Sequence, residues 1–125
     1  MIFDTNALSA LAEEDPGPKQ EFARANPAVI PVIVLGEYKF GIARSRRLQE
    51  YNRWLEGILS VSRVLNVTEE TANWYGLLRV QLKEAGTPIP SNDLWIAALS
   101  RQYNLPILSR DRHFDRVQRL RRLQW

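Results

Sequence analysis

Met1-Ile2-Phe3-Asp4-Thr5-Asn6-Ala7-Leu8-Ser9-Ala10-Leu11 is the stretch that decides the fold. Apolar residues run straight into an acid, two polar residues follow, and Ala7, Leu8, Ala10 and Leu11 then recur at helical spacing. That order reads as a strand over Ile2–Asp4, a carboxylate at its carboxyl end, a capping residue and a helix. Open α/β sheets bind ligands beyond the carboxyl ends of their strands, so Asp4 stands where an active-site carboxylate would stand. An acid there also suits a helix cap, and the local pattern leaves both roles open.

Working outward, the first helix ends near Glu14, because Asp15-Pro16-Gly17-Pro18 breaks it. Lys19–Asn26 reads as a short helix with Phe22 and Ala25 inward, and Ala28–Pro31 as a strand buried on both faces. Val32–Arg44 carries a core stripe of Leu35, Tyr38 and Ile42, with Glu37 on a neighbouring face. A helix over Arg46–Ser60 and a strand over Arg63–Val67 follow, and Thr68 then caps a helix that stops at Gly86. Tyr75, Leu78 and Leu82 are its stripe; Trp74 and Leu77 lie off it, for the interior or an interface. Ser91-Asn92-Asp93 caps a helix that is apolar nearly all round, with Asn104 as a left-handed stop. Leu105–Ser109 is the fourth strand, and it ends at Arg110-Asp111, repeating the order of strand then acid. His113, Phe114 and Val117 fall in a short turn or helix, and Leu120–Trp125 adds an edge strand with Leu123 and Trp125 toward the sheet. Strands alternate with helices throughout, which predicts an α/β domain: a parallel sheet with helices on both faces and right-handed crossovers.

The length of 125 residues suits one domain, residues 1–125, with a core of its own. Hydrophobic residues at 45% and charged residues at 25% place it among ordinary globular chains. No apolar run approaches the roughly 20 residues that span a membrane, and no secretory leader is recognisable. The absence of cysteine excludes disulfides, thiol catalysis and thiolate zinc sites, and agrees with a cytoplasmic location. The net charge is +3, and 14 of the 17 basic residues are arginine, the side chain suited to phosphate. Arg110, Arg112, Arg116, Arg119, Arg121 and Arg122 crowd the end of the chain, and Arg44, Arg46 and Arg47 form a second cluster. These clusters serve either a polyanion or plain solvation; Arg110, Arg112 and Arg116 are the candidates for contact with such a polyanion.

Four acids lie at element boundaries. Asp4 ends the first strand, Glu37 is early on the helix after the second, Asp93 opens the buried helix and Asp111 follows the fourth strand. In a parallel sheet these positions share one edge, so the four carboxylates can converge. Clustered carboxylates repel unless a cation lies among them, and Mg²⁺ or Mn²⁺ prefers such oxygen donors. Two such ions about 3.5–4 Å apart can clamp the attacking and leaving oxygens of a phosphodiester. Setting the four acids aside leaves ten acids against seventeen bases, a basic surface around the cleft as nucleic acid requires.

Taken together, Phe3-Asp4-Thr5-Asn6, Leu35-Gly36-Glu37, Asn92-Asp93-Leu94-Trp95-Ile96-Ala97-Ala98 and Ser109-Arg110-Asp111-Arg112-His113-Phe114 resemble the PIN domain. In size and order the chain is similar to the VapC-type toxins of toxin–antitoxin pairs. The resemblance covers the whole chain. It implies a three-layer α/β/α sandwich with strand order 3-2-1-4-5 and a Mg²⁺- or Mn²⁺-dependent endoribonuclease. It also implies an antitoxin partner of the VapB kind and a homodimer. By position, Asp4, Glu37, Asp93 and Asp111 match the family's acids, with Asp4, Asp93 and Asp111 as metal ligands. Asn6 and Ser109 match polar residues that orient them. The fourth acid is the most variable, and Asp115 is the alternative to Asp111. The chain departs from the family pattern at Val34 and Pro31, where Thr and Ser are common, so a polar contact near Glu37 is expected to be missing. His113 reads as structural rather than as a general base.

Tyr38, Phe40, Tyr51 and Trp54 suit core or interface packing better than base stacking. Two other functions are weighed against the nuclease. A non-catalytic RNA-binding or scaffold module of the same fold would be marked by a lost acid, and none is lost. A phosphoacceptor signalling domain would want paired acids after the first strand, where Asp4 is followed by Thr5-Asn6.

Overall fold

The structure is a computed structural model that describes residues 1–125. Five strands make one sheet in the order 3-2-1-4-5: β1 Ile2–Phe3, β2 Ala28–Pro31, β3 Ser62–Leu65, β4 Ile107–Leu108 and β5 Arg122–Leu123. Every pairing is parallel, with Ile2 opposite both Val29 and Ile107, and Leu108 opposite Leu123. Six α-helices cover the sheet: α1 Thr5–Ala12, α2 Pro16–Arg24, α3 Val32–Ile42, α4 Leu48–Ser60, α5 Glu69–Glu84 and α6 Ser91–Tyr103. A 3₁₀ helix, Arg112–Arg116, joins β4 to β5. This is the expected three-layer α/β/α sandwich.

The central strands are buried on both faces because successive side chains point to opposite sides. Ile2 and Ile107 join the larger core with Leu8, Val34, Leu78 and Leu99. Phe3 and Leu108 join the smaller one with Ala7, Leu11 and Ala28, closed by Phe22 and Trp125. The α6 helix is apolar nearly all round because Leu94 and Ile96–Ser100 are all buried. Its end is set by Asn104 in the left-handed conformation at φ 53°. Gly86, at φ +70°, ends α5 the same way.

Several boundaries differ from expectation. The Asp15-Pro16-Gly17-Pro18 break is also a start: α2 begins at Pro16, and Asp15 caps it by accepting from the Gly17 N–H at 3.0 Å. Gly17 is required there, since a Cβ would lie 2.5 Å from Cδ1 of Trp125. The buried row of α3 is Val34, Tyr38 and Ile42, with Leu35 half-buried on its flank. A strict i, i+4 row of this kind needs no fourth member. Likewise α6 begins at Ser91 with Pro90 before it, so Asp93 is inside the first turn rather than at the cap. The third strand lies at Ser62–Leu65, slightly earlier than Arg63–Val67, and the fourth pairs only over Ile107–Leu108.

Candidate active site

The four acids gather at the carboxyl edge of the sheet. Asp4 leaves β1 at the N-cap position of α1, where its side chain makes no capping hydrogen bond. It is 5% exposed. Ser109, entirely buried at the end of β4, donates to Asp4 Oδ2 at 2.7 Å. Asn6 Nδ2 donates to the same oxygen at 3.0 Å and lies 3.1 Å from Ser109 Oγ, while Asn6 Oδ1 accepts from the Arg110 N–H. One strand end and the first turn of α1 thereby hold Asp4 in a single orientation. Burial nevertheless pushes the Asp4 carboxyl above its ordinary range, against the pull of the Ser109 hydroxyl, and the Asp93 and Asp111 charges add to the rise.

Asp111 is placed by its own backbone. Its N–H donates to Ser109 Oγ at 2.9 Å, and its Oδ1 caps the 3₁₀ helix by accepting from the His113 N–H. That turn brings the imidazole over the acids: His113 Nδ1 lies 2.9 Å from Asp93 Oδ2 and 3.0 Å from Asp111 Oδ1. Asp93 is raised chiefly by burial, opposed by the His113 hydrogen bond, with the Asp111 charge raising it further. Glu37 is raised by burial first, then by the Asp4 and Asp93 charges. Glu37 Oε1 is buried with no hydrogen-bond partner, as is the neighbouring Thr5 hydroxyl. Val34, wholly inside the core, offers Glu37 nothing polar; the Thr5 hydroxyl lies close enough to oppose the rise without completing a hydrogen bond.

Mutual repulsion among the acids is what a cation lying between them would relieve. Ligand atoms of Asp93, Asp111 and His113 lie within 4.8 Å of one another and could hold one ion. The residues present therefore fit a divalent metal, and His113 is the donor whose place in the cluster sequence reasoning missed. Its signal was position: two residues past an acid that caps a tight turn, it is turned back onto that acid. Asp115 lies elsewhere, in a two-bond ion pair with Arg122 at 2.8 and 2.9 Å that holds its carboxyl below the ordinary range.

The three arginines proposed for RNA differ in freedom. Arg110 lies over the Trp125 ring at 4.4 Å and 3.4 Å from Asp15. Arg116 donates to the Pro88 carbonyl at 2.9 Å. Arg112 is exposed beside the acids. Of the aromatics, Tyr38 packs against Trp54 at 5.9 Å between centroids, whereas Phe40 is 85% exposed. No helix is long and apolar enough to cross a membrane.

Comparison with known proteins agrees with this fold. The PIN domain model matches residues 1–120. Ribonuclease VapC5 of Mycobacterium tuberculosis is 31% identical over 90% of this chain and 84% of its own length. The tRNA(fMet)-specific endonuclease VapC of Shigella flexneri is 28% identical over 99% of this chain and 96% of its own. Among solved structures, VapBC2 of Rickettsia felis bound to a promoter DNA fragment superposes with a TM-score of 0.86 at 26% identity, covering 100% of this chain and 99% of that one. DNA-bound VapBC of Salmonella typhimurium gives 0.89 at 25% identity, covering 99% and 96%. The relatives are named as ribonucleases and the structural neighbours are VapBC complexes. The chain belongs to the PIN-domain family and is of the VapC type.

Proposed function

We propose that this protein is a single-domain, metal-dependent endoribonuclease toxin that hydrolyses RNA phosphodiester bonds and is neutralised by a VapB-like antitoxin. The observation that carries the reading is the convergence of Asp4, Glu37, Asp93 and Asp111 on one cleft, with raised proton affinities at three of them. Asp4, Asp93 and Asp111 would hold Mg²⁺ or Mn²⁺, with Glu37 facing the same space. When bound, the metal supplies Lewis-acid stabilisation of phosphate charge and an acidified water. The chain's own work is orientation: Ser109 and Asn6 fix Asp4, and His113 spans Asp93 and Asp111. Arg110, Arg112 and Arg116, close in sequence to Asp111, would draw the strand in by its phosphates. The presence of all four acids in the sequence supports the catalytic reading over a decayed, non-catalytic module.

The reading puts the protein in the cytoplasm, with its RNA. Leu77 and Val80, exposed on α5, offer apolar surface for a homodimer. Initiator tRNA is the first substrate to try, given the name of the Shigella relative. The test is incubation of total RNA with purified protein in Mn²⁺ or Mg²⁺, followed by mapping of new ends. Discrete new ends that vanish in EDTA are expected; intact RNA under every metal condition would overturn the proposal.

A further inference from the structure

A cavity of about 390 Å³ opens between α5 and the start of α6, outside the carboxylate cleft. Tyr75, Arg79, Lys83, Pro88, Ile89 and Ser91 contribute to its wall, and no acid does. Neither Arg79 nor Lys83 is paired with a carboxylate. Two uncompensated cations facing one cavity call for an anion. Ser91 is the first residue of α6, so the positive end of a 13-residue helix faces the same space. The aromatic wall is braced: the Tyr75 ring stacks on Trp95 at 4.1 Å and 27°. Its hydroxyl is 3.2 Å from Ser91 Oγ and accepts from Arg79 at 2.9 Å.

The cavity and the cleft share a helix turn. On α6, Ser91 and Trp95 lie on one side and Asp93 is turned toward the other, where it meets His113. The first turn of α6 thus contributes to both, Ser91 to the cavity and Asp93 to the cleft. A chain with phosphates and bases crossing the end of α6 would touch both. The Tyr75 ring, stacked on Trp95 and with the Arg79 guanidinium 5.9 Å from its centroid, pairs an aromatic surface with cations and so matches a nucleotide, whose base would share the ring with Arg79 and whose phosphate is tied to that base. An acidic peptide would use the cations and leave the ring idle.

We propose that this cavity is an RNA subsite for one nucleotide flanking the scissile bond, with its phosphate on Arg79, Lys83 and Ser91 and its base against Tyr75. The proposal rests on the ribonuclease reading. Randomly fragmented, end-labelled total RNA, in EDTA so that it is bound and not cut, is the binding probe. Cleavage of intact total RNA in Mn²⁺ gives kcat and KM. The R79A/K83A variant, whose changes are on exposed side chains, should melt like wild type. Loss of two phosphate contacts should make its slope of log affinity against log salt shallower by roughly 1.4. Its KM should rise about tenfold with kcat within about twofold, and R79K/K83R should restore both. Tyr75→Leu should raise KM by about tenfold through lost stacking and leave the salt slope unchanged. If wild type cuts RNA and R79A/K83A matches it in slope and KM, the subsite is wrong and the nuclease reading stands; weakened antitoxin binding in that variant would then assign the cavity to an acidic peptide. If wild type neither binds nor cuts RNA, both proposals fall together.

Discussion

His113 Nδ1 lies 2.9 Å from Asp93 Oδ2. The same nitrogen is 3.0 Å from Asp111 Oδ1, so one imidazole spans two carboxylates that belong to different elements. A group in that place would either coordinate a bound ion or orient the acids proposed to hold it, and both roles would support affinity. His113→Ala should therefore weaken Mn²⁺ binding by about 10- to 100-fold, read by calorimetric titration. Unchanged affinity would mean that the imidazole is only a surface neighbour of the site.

Ser109→Ala should cost about 1–3 kcal/mol, because it removes the hydroxyl that donates to a nearly buried carboxylate. Asn6 remains as a donor to the same oxygen, which keeps the loss below that of a fully orphaned charge. Urea unfolding at neutral pH measures it, and a loss under about 0.5 kcal/mol would show that Asn6 alone suffices.

Gly17→Ala should destabilise by about 1–3 kcal/mol, the usual range for an overpacked contact. The new Cβ would lie 2.5 Å from Cδ1 and 2.7 Å from Cβ of Trp125, so the indole must move and lose its 3.1 Å hydrogen bond to Asp15. The check is urea unfolding followed by tryptophan fluorescence. Wild-type stability would mean that the carboxyl-terminal segment is free to shift.

The pH dependence has a definite sign. Asp4, Glu37 and Asp93 are all raised in the folded state, burial being the first cause in each. Each therefore holds its proton longer when folded. Stability from these groups is present below the unfolded value of about 4 and is lost as pH rises through the folded values. Without metal, Asp93→Asn should thus melt higher than wild type at pH 7.5. A divalent ion that binds only the folded state adds about 2.7 kcal/mol at 100 times its Kd. Mn²⁺ should raise wild-type melting at pH 7.5, less toward pH 4, and should raise Asp93→Asn less than wild type. Equal shifts in the two proteins would place the ion elsewhere.

Much of this was legible in the residues because strand-then-acid is a local pattern with a topological consequence. Asp4 directly follows a buried apolar pair and Asp111 follows another after Ser109-Arg110, and a parallel sheet must bring such positions to one edge. What escaped reading depends on angles between elements. The return of His113 onto Asp93 needs the turn capped by Asp111, and the packing of Trp125 on Gly17 joins the two ends of the chain. The start of α2 at Pro16 was hidden because Asp-Pro-Gly-Pro reads equally as a break and as a cap followed by proline at the first helical position. Arg79 and Lys83 carry no sequence signal as a pair, since only the approach of α5 to the start of α6 turns them into the wall of a cavity.

The central claim is that the four gathered acids carry metal-dependent RNA cleavage. The most direct measurement is the cleavage rate of total RNA in Mn²⁺ by Asp4→Asn and Asp93→Asn, with Asp115→Asn alongside. Each substitution keeps the side-chain shape and removes one charge, and Asp115 is engaged by Arg122 rather than by the other acids. The account predicts losses of about 100-fold or more for the first two and a wild-type rate for the third. Asp93→Asn cutting RNA at the wild-type rate would contradict it.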